Sequence, residues 1–424
     1  MSTRFEHVRI DIRDAPTGWT LAMFSKVAEI NPKRSLSVDT EYPFIPMDAL
    51  SADSPRVTYV ERRIWNHSNG SKFQKGDVLL ARITPSAENG KTAIVDVETG
   101  FGSTEFIVLS PKKGGIEDDH FLYYAVKFDR IRNQAIQRMT GSTGRQRIPP
   151  EAFDDIMFPV PPVAEQQKIA SILSTVDNAI QKTDEIIAKT QQLKKGLMQQ
   201  LLTKGIGHTK FKQTEIGQIP EEWGVRKLTE LLDEPLRNGV NKNKEDFGFG
   251  IKFVNVLDVF CPFIIDNSKL RRINATSEEV DRHRLRSGDI LVVRSSLKKD
   301  GVAYPALFEE DSEPVIFAGF LIRIRPNKKV VCPPYLLHYL RTERARQRLI
   351  SYSGTVAITN VTQESLETLV VPIPTIEEQQ TITSILSILD DKIEKERTKK
   401  DELEQLKKGL MQVLLTGKVR VKVN

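Results

Sequence analysis

A duplicated segment constrains this chain more than any other feature of its sequence. QLKKGLMQQLLT at residues 192–203 returns as QLKKGLMQVLLT at residues 405–416, and eleven of the twelve letters agree. The match extends without a gap over residues 159–203 and 372–416, with 24 identities in 45 positions. Agreement over this length indicates an internal duplication, so the fold must contain two related halves.

Shorter matches upstream show that the duplication covers most of the chain. Gly76–Arg82 (GDVLLAR) resembles Gly288–Arg294 (GDILVVR) at an offset of 212, and Pro16–Trp19 resembles Pro220–Trp223 at an offset of 204. The repeated helical segment has an offset of 213, so the halves differ by insertions and deletions, which belong in loops. The predicted order is a domain at 1–158, a helix at 159–204, a domain at 205–371 and a helix at 372–424.

Both repeated segments are predicted to be long helices. After the prolines, apolar residues such as Ile169, Ile172 and Val176 recur at three- and four-residue spacing. Roughly 38 residues at about 1.5 Å each make a rod of about 57 Å. A rod of that length that is only half apolar needs a partner helix along its seam, and the other copy is the natural partner.

The use of one architecture twice predicts a pseudo-twofold axis, an antiparallel helix pair and chain termini that lie close together. In the first half, strand-like runs such as FQKGDVLLARI and TEFIVLSP precede a helical run at 121–139, and the second half repeats this order. The predicted fold class is therefore α+β. It comprises two pseudo-symmetric mixed α/β domains separated by an antiparallel pair of long repeated helices, a coiled coil.

Composition adds weaker constraints. The 62 basic and 56 acidic residues leave a net charge of +6, which fits a nucleic-acid binder and many other proteins. The only cysteines are Cys261 and Cys332, which excludes a disulfide framework and suits a reducing compartment. The charged N-terminal stretch and the lack of a long apolar run predict a cytoplasmic protein that makes no membrane contact.

The sequence shows no pattern typical of catalysis. It contains neither a phosphate-binding loop nor a complete dinucleotide fingerprint, and its six histidines lie apart. Asp118-Asp119-His120 is interpreted as the acidic start of a helix rather than as a metal site. We therefore predict no catalytic, metal-binding or cofactor-binding residues in this chain.

Binding chemistry is concentrated in loops. TGSTGRQRIPP at 140–150 combines glycines, hydroxyls, arginines and a glutamine, which suit phosphates and base edges, whereas its counterpart SYSGTVAITNV at 351–361 lacks arginines. The predicted DNA contacts of the first half are Lys33, Arg34, Arg82, Thr84, Ser86, Ser142, Thr143, Arg145, Gln146 and Arg147. Those of the second half are Asn241, Lys242, Arg294, Ser295, Ser296, Lys298, Lys299, Ser353, Thr355, Thr359 and Asn360. An ordinary solvated basic face is the alternative for any single one of them.

The ends of the repeated helices carry more apolar surface than one helix seam consumes. The predicted partner-docking residues are Leu197, Met198, Leu201, Leu202, Leu410, Met411, Leu414 and Leu415. Packing in the seam or against the domains is the alternative for all eight. Gly196 and Gly409 lie inside the predicted helices at a cost of about 1 kcal/mol each relative to alanine. A close crossing or a helix break where a partner docks would explain both glycines.

Several motifs occur in the same order in both halves. They are P-x-x-W at 16–19 and 220–223, the two G-D strands, F-I-V-L-x-P at 106–111, the E-Q-Q helix start and the K-K-G-L-M-Q-x-L-L-T helix end. In this order, and over nearly the whole chain, they resemble the specificity subunit of type I restriction-modification systems.

The resemblance implies two target-recognition domains, each of which reads one block of a bipartite sequence in double-stranded DNA, with the helices setting the spacer. It also implies a subunit with no catalytic activity and no cofactor of its own. Such a subunit docks two methyltransferase (modification) subunits, which are adenine N6-methyltransferases that use S-adenosylmethionine, and through them the ATP-driven restriction subunits. The unlike loops at 141–148 and 354–361 predict two different half-sites. A DNA-binding protein that acts alone and a nuclease with an unrecognised site are the alternatives.

Overall fold

A computed structural model describes residues 15–66, 70–142, 144–295, 301–351 and 360–423. The chain forms two compact units. Unit one comprises Met1–Glu185 with Thr398–Asn424, and unit two comprises Ile186–Arg397. Each unit therefore contains one α/β domain together with part of both long helices.

Over the described residues, unit one contains ten strands, four α-helices that begin in it and the end of the long helix that enters from unit two. The strands are β1 (Thr20–Met23), β2 (Ala28–Ile30), β3 (Thr40–Ile45), β4 (Glu61–Trp65), β5 (Ser71–Gln74), β6 (Val78–Ala81), β7 (Thr92–Ile94), β8 (Thr99–Gly102), β9 (Phe106–Pro111) and β10 (Met157–Val160). The α-helices are α1 (Phe24–Val27), α2 (Asp119–Lys127), α3 (Asp129–Gln137) and α4 (Val163–Lys204), of which α4 continues into unit two. The sheets have the strand orders β2-β9-β6-β7, β4-β3-β8-β5 and β1-β10.

Unit two repeats this plan. Its strands are β11 (Phe211–Thr214), β12 (Gly217–Pro220), β13 (Gly224–Lys227), β14 (Leu232–Asn238), β15 (Phe247–Val254), β16 (Arg271–Ile273), β17 (Ile290–Val293), β18 (Pro305–Leu307), β19 (Val315–Phe317), β20 (Leu321–Pro326) and β21 (Val370–Ile373). Its α-helices are α5 (Val256–Val259), α6 (Ser277–His283), α7 (Pro333–Leu340), α8 (Glu343–Ser351), α9 (Gln363–Glu367) and α10 (Ile376–Leu414), and α10 continues into unit one.

Two sheets of unit two match those of unit one: β14-β20-β17-β18 corresponds to β2-β9-β6-β7, and β13-β21 corresponds to β1-β10. The sheet β16-β15-β19 corresponds to β4-β3-β8, has no counterpart of β5 among the described residues, and is accompanied by an additional hairpin β11-β12. Short 3-10 helices lie at Met47–Ala49, Pro150–Phe153, Leu228–Leu231, Lys244–Asp246 and Asn267–Lys269. The matching strand orders confirm the predicted duplication and the mixed α/β class.

The helical run predicted at 121–139 is two helices. Phe128 separates α2 from α3 with a ψ of 124°, and its side chain is buried. Asp129 begins α3, and an acidic residue in a first turn favours a new helix start. The acidic triplet stands at a helix start, as predicted, because the Asp118 carboxylate accepts a hydrogen bond from the Phe121 N–H at 2.7 Å. One ligand atom from each of Asp118, Asp119 and His120 lies within 4.8 Å of the others, so the absence of a metal site here stays a prediction.

The long helices pack antiparallel within each unit. In unit one, Lys407 Nζ lies 2.5 Å from Asp177 Oδ1, and Lys400 Nζ lies 2.7 Å from Asp184 Oδ1. Residue numbers along α10 therefore fall as those of the partners on α4 rise, which defines an antiparallel pair. In unit two, Lys194 pairs with Asp390, which is the same pair of repeated positions in reverse. Both pairs are largely shielded from solvent, and they fix the helix register.

Each P-x-x-W motif is anchored to the glutamate of an E-Q-Q helix start. In unit one, Trp19 Nε1 donates to the Glu165 carboxylate at 2.5 Å, and Arg420 Nη2 donates to the same group at 2.6 Å. Arg420 also donates to the Thr17 carbonyl at 2.6 Å, which places the described N-terminal residues beside the C-terminal ones, as predicted.

Unit two repeats the anchor with different donors. Trp223 Nε1 donates to Glu378 at 2.9 Å, and His208 Nε2 lies 2.9 Å from the other oxygen of that carboxylate. The following glutamine is buried in both units, and its side-chain amide donates to the preceding proline carbonyl, from Gln166 at 2.9 Å and from Gln379 at 3.0 Å. The repeated letters therefore tie each helix start to its own domain. Over the described residues, no helix is long and apolar enough to span a membrane.

Candidate nucleic-acid interface

Strand β6 delivers Arg82 to the end of the main sheet of unit one. The strand begins at a turn in which Gly76 has a φ of 84°, a conformation that favours glycine, and the buried Asp77 accepts the Gln74 N–H at 2.7 Å. All four residues of the strand are buried. Arg82 follows immediately, where the chain leaves the core.

Predicted contact residues from two segments meet at this point of unit one, next to Glu105. The Arg82 N–H donates to the Glu105 carbonyl at 2.9 Å, and the Thr84 N–H donates to the Gln146 carbonyl at 3.0 Å. A β-bridge joins Ile83 to Arg147. The fold therefore gathers Arg82, Thr84, Gln146 and Arg147, which lie up to 65 positions apart in the sequence.

Arg147 is held by a carboxylate that the sequence did not single out. Its Nε donates to Glu105 Oε2 at 2.9 Å and its Nη2 to Oε1 at 2.7 Å, a two-point ion pair with 42% of the Arg147 side chain still exposed. The hydrogen bond from Arg147 lowers the pKa of the Glu105 carboxyl. The guanidinium is thus fixed in orientation while part of it faces solvent.

The remaining predicted residues of this loop form its tip. Ser142 and Arg145 are exposed, and the Arg145 N–H donates to the Ser142 carbonyl at 2.9 Å. Ser86 is half-buried, just beyond the end of β6.

Unit two builds the same arrangement around Arg294. The turn before β17 has Gly288 at a φ of 94°, and the buried Asp289 accepts the Arg286 N–H at 2.8 Å. After the buried strand, the Arg294 N–H donates to the Phe320 carbonyl at 2.9 Å. This bond is the counterpart of the one from Arg82 to Glu105.

Three further predicted residues of unit two lie around the turn that precedes β20. Ser295 and Asn360 form a β-bridge. The Gly319 N–H donates to the Val240 carbonyl at 2.9 Å, and a side chain at Gly319 would come within 2.1 Å of Asn241 Oδ1. Asn241 therefore packs directly against the turn, next to Phe320.

Two predicted contact residues have other partners, and their assignment needs correction. Arg34 pairs with Asp77 at 2.7 Å, at the opposite end of β6 from Arg82, and only 12% of its side chain is exposed. Lys242 pairs with Glu279 at 2.8 Å and is 10% exposed. These two side chains are mostly buried in ion pairs of their own domains, so little of either group is exposed to a phosphate. Lys33 is exposed beside Arg34 and lies outside the group formed by Arg82, Thr84, Gln146 and Arg147.

Seven predicted contacts lie outside the described residues, so they stay predictions: Thr143, Ser296, Lys298, Lys299, Ser353, Thr355 and Thr359. The residues that the sequence reasoning missed are Glu105 and Phe320, which occupy equivalent positions immediately before β9 and β20.

Half of the predicted docking residues are buried inside their own unit. Leu201 and Leu202 belong to a core of unit two, and Leu414 and Leu415 belong to a core of unit one. Their burial leaves no side-chain surface for a partner, so the packing alternative holds for these four. Leu197, Met198, Leu410 and Met411 are only partly buried at the edges of the same cores.

The two helical glycines do not mark a close crossing or a helix break. Helices α4 and α10 run unbroken through Gly196 and Gly409, and a Cβ added at either residue would meet nothing within 4 Å. Both glycines are exposed. Neither a close crossing within the chain nor a helix break therefore explains these glycines. Each glycine instead leaves an exposed position of the helix without a side chain.

The two equivalent α/β units define a class of protein. Each gathers basic and hydrogen-bonding side chains around one exposed turn, and the side chains differ between the units; such side chains suit contacts to phosphates and base edges. A family model described as the type I restriction modification DNA specificity domain matches residues 18–192 and 220–405. The chain belongs to this family, as a DNA sequence-recognition subunit that acts in a complex with other subunits and is not the catalytic component.

Named relatives agree with this assignment. The chain is 31% identical over 328 residues to the specificity subunit of the type I restriction enzyme MjaVIII of Methanocaldococcus jannaschii, covering 74% of each chain. It is 28% identical to the putative MjaX specificity subunit of the same organism, covering 98% of this chain and 96% of that one.

Solved structures share the fold. The S subunit of a type I restriction-modification system from M. genitalium has a TM-score of 0.57 at 14% identity, covering 94% of this chain and 96% of that one. A chain from a structure that describes complex assembly and conformational transition of the type I R-M system has a TM-score of 0.59 at 17% identity. The match covers 96% of this chain and 100% of that one.

Proposed function

We propose that each unit reads one half of an asymmetric, bipartite DNA target. The helix pair sets the number of base pairs between the halves, since moving a reader along the groove also rotates it around the duplex. Two methyltransferase subunits bind this chain, and the restriction subunits join through them, in the cytoplasm. S-adenosylmethionine and ATP belong to those partners.

One observation carries the proposal of two different half-sites. The same backbone framework presents Glu105 with Arg147 in unit one and Phe320 with Asn360 in unit two. An arginine suits the two acceptors of guanine, an asparagine suits adenine, and a phenyl ring suits neither pattern. Side chains as different as these cannot select the same bases.

The proposal is tested by mapping methylated adenines in the source genome with and without the gene for this chain. We expect a motif of two unlike blocks with a fixed spacer, present only with the gene. A palindromic motif, or a methylation pattern that does not change, would contradict the proposal.

Repeated exposed residues support docking of one partner twice. Leu193 and Leu406 are equivalent, and they are 54% and 51% exposed, each three residues before an exposed glycine. The other large apolar residue exposed on the two long helices is not repeated: Ile388 is 64% exposed and has Thr175 as its counterpart. A surface that is identical in both copies fits two molecules of the same methyltransferase.

Each unit carries one copy of the docking face: Leu193, Gly196, Leu197 and Met198 in unit two, and Leu406, Gly409, Leu410 and Met411 in unit one. Leu193→Asp with Leu406→Asp places a charge in each proposed interface, and we expect the methyltransferase no longer to co-purify. Ile388→Asp is the matched control and should retain the partner. Retention of the partner by the double variant overturns this docking face without affecting the DNA-reading proposal.

A further inference from the structure

Equivalent tight turns stand at the centre of both candidate interfaces. In unit one, the Phe106 N–H donates to the Ser103 carbonyl at 3.3 Å, and in unit two the Leu321 N–H donates to the Ala318 carbonyl at 2.9 Å. Each turn leads into a strand that pairs antiparallel with the G-D strand of its unit. The residue just before that strand is Glu105 or Phe320.

The side chain of Phe320 is placed for contact rather than for packing. It is 58% exposed, although a phenyl ring gains stability from burial. Single exposed apolar side chains are ordinary on protein surfaces, so exposure alone decides nothing. The surroundings decide, because the Phe320 backbone is bonded to Arg294, which continues into Ser295 and, across a bridge, to Asn360.

The backbone holds this ring in a fixed place. The Gly319 N–H donates to the Val240 carbonyl at 2.9 Å, and a Cβ at Gly319 would lie 2.1 Å from Asn241 Oδ1, so a side chain there would require Asn241 to move. These contacts tie the turn to a second segment of the domain. The Ala318 N–H also donates to the Val254 carbonyl at 3.0 Å. Phe320 is therefore presented on a rigid support, as a specificity contact requires.

We propose that Phe320 reads a thymine in the half-site of unit two through the C5-methyl group of that base. A phenyl ring offers no conventional hydrogen bond, and the thymine methyl is the one apolar group that base edges present in the major groove. The neighbouring Asn360 and Arg294 supply the hydrogen bonds and the positive charge that a phenyl ring lacks. This inference rests on the proposed function, in which unit two reads its own half of the target.

The experiment uses the chain in complex with its methyltransferase subunits and the duplex defined by methylation mapping. Each thymine of the unit-two half-site is replaced in turn by deoxyuridine, which removes only the methyl group. We expect one replacement to weaken binding about fourfold, the effect of losing burial for one methyl-sized group.

Phe320→Ala should bind the normal duplex several-fold more weakly and should no longer distinguish thymine from uracil at that position. Phe249→Ala is the matched control, since Phe249 is also 58% exposed in unit two, and it should keep the distinction. Phe320→Leu, which retains an apolar side chain, should keep most of it.

The inference is overturned if no thymine of this half-site is sensitive to its methyl group in the unsubstituted complex, a result that does not depend on how any variant folds. It is also overturned if Phe320→Ala still distinguishes the two bases. In both cases the bipartite motif itself remains. Loss of that motif from the methylation map would instead refute the proposed function.

Discussion

The turns at residues 103–106 and 318–321 have the same backbone hydrogen bonds and opposite side-chain chemistry. Glu105 pairs with Arg147 to make a charged and oriented group, whereas Phe320 is exposed, with its carbonyl bonded to the Arg294 N–H. The backbone framework is therefore the same in both units, whereas the side chains of the contact surface vary independently of it. The framework is repeated because it positions the chain, and the turn residue is free to differ because it faces outward.

The buried turn before each G-D strand shows the same separation from the inside. Asp77 accepts hydrogen bonds from Arg34 and from Ser110, at 2.9 and 2.6 Å. Asp289 instead accepts two hydrogen bonds from Arg325, at 2.8 and 2.7 Å. A buried carboxylate needs a cation and hydrogen bonds, and either set of partners provides them and maintains the turn.

Removing the buried carboxylate of unit two tests the framework and should have the largest effect. Asp289→Ala removes the two-point partner of Arg325, which is 7% exposed and keeps only its ion pair with Glu234 at 2.7 Å. Loss of one member of a buried pair typically costs about 3–5 kcal/mol, and the remaining pair places this substitution at the lower end of that range. We expect the free energy of unfolding, measured with urea, to fall by about that amount. Asp233→Ala, at an exposed acidic residue of the same unit, should change it little. A fall below about 1 kcal/mol in Asp289→Ala would contradict the framework role.

A half-buried lysine gives unit one a pH-sensitive group. Lys127 is half-buried at the end of α2, and the equivalent position of unit two is Arg341. Burial lowers the pKa of Lys127 to about 8, from 10.5. The charged groups that act on it are Lys407, Arg132, Asp177 and Asp53.

The sign of the effect follows from proton binding. Between pH of about 8 and 10.5 the unfolded chain keeps the Lys127 proton that the folded chain releases, so the free energy of unfolding rises with pH in that window. The rise should be on the order of 2–3 kcal/mol. Lys127→Met should remove it in urea unfolding at several pH values, and an unchanged pH dependence in that variant would assign the effect elsewhere.

Arg147→Ala tests whether the contact surface of unit one reads a base. A bidentate contact to a base edge contributes about 1–3 kcal/mol of discrimination, so binding should weaken by roughly thirtyfold and tolerate other bases at one position of the unit-one half-site only. Competition between duplexes that are randomised at each half-site measures this. Arg145→Ala, at the exposed tip of the same loop, should weaken all sequences equally and reduce the salt dependence. If both variants behave alike, Arg147 reads no base.

The smallest expected effect concerns the support of that arginine. Because Arg147 lowers the pKa of Glu105, the pair stabilises the fold above the ordinary carboxyl pKa and is lost as pH falls through the lowered value. The pair is partly exposed, so its contribution is below about 1 kcal/mol. Glu105→Gln should therefore be slightly less stable than the unsubstituted chain at neutral pH and equal to it in acid. A constant difference across that range would mean that the ion pair is not the cause.

The sequence predicted the duplication, the two long helices and their antiparallel pairing, because repeated spacing is a property of the chain itself. It misassigned Leu201 and Leu415, because periodicity shows that a helix face is apolar but not what covers it. Arg34 looked like a free basic residue, since its partner Asp77 lies 43 positions away. The contrast between Glu105 and Phe320 became visible only when the strands that follow them could be superimposed through their hydrogen bonds.

The most direct test of the account exchanges one domain. A chain in which residues 220–371 are replaced by a second copy of residues 16–158 keeps the tryptophan anchors and both helices but carries one reading surface twice. With its methyltransferase partners, this chain is predicted to methylate a symmetric target in which the unit-one half-site occurs twice in inverted orientation. Methylation of the original asymmetric target by this chain would contradict the claim that each unit reads its own half.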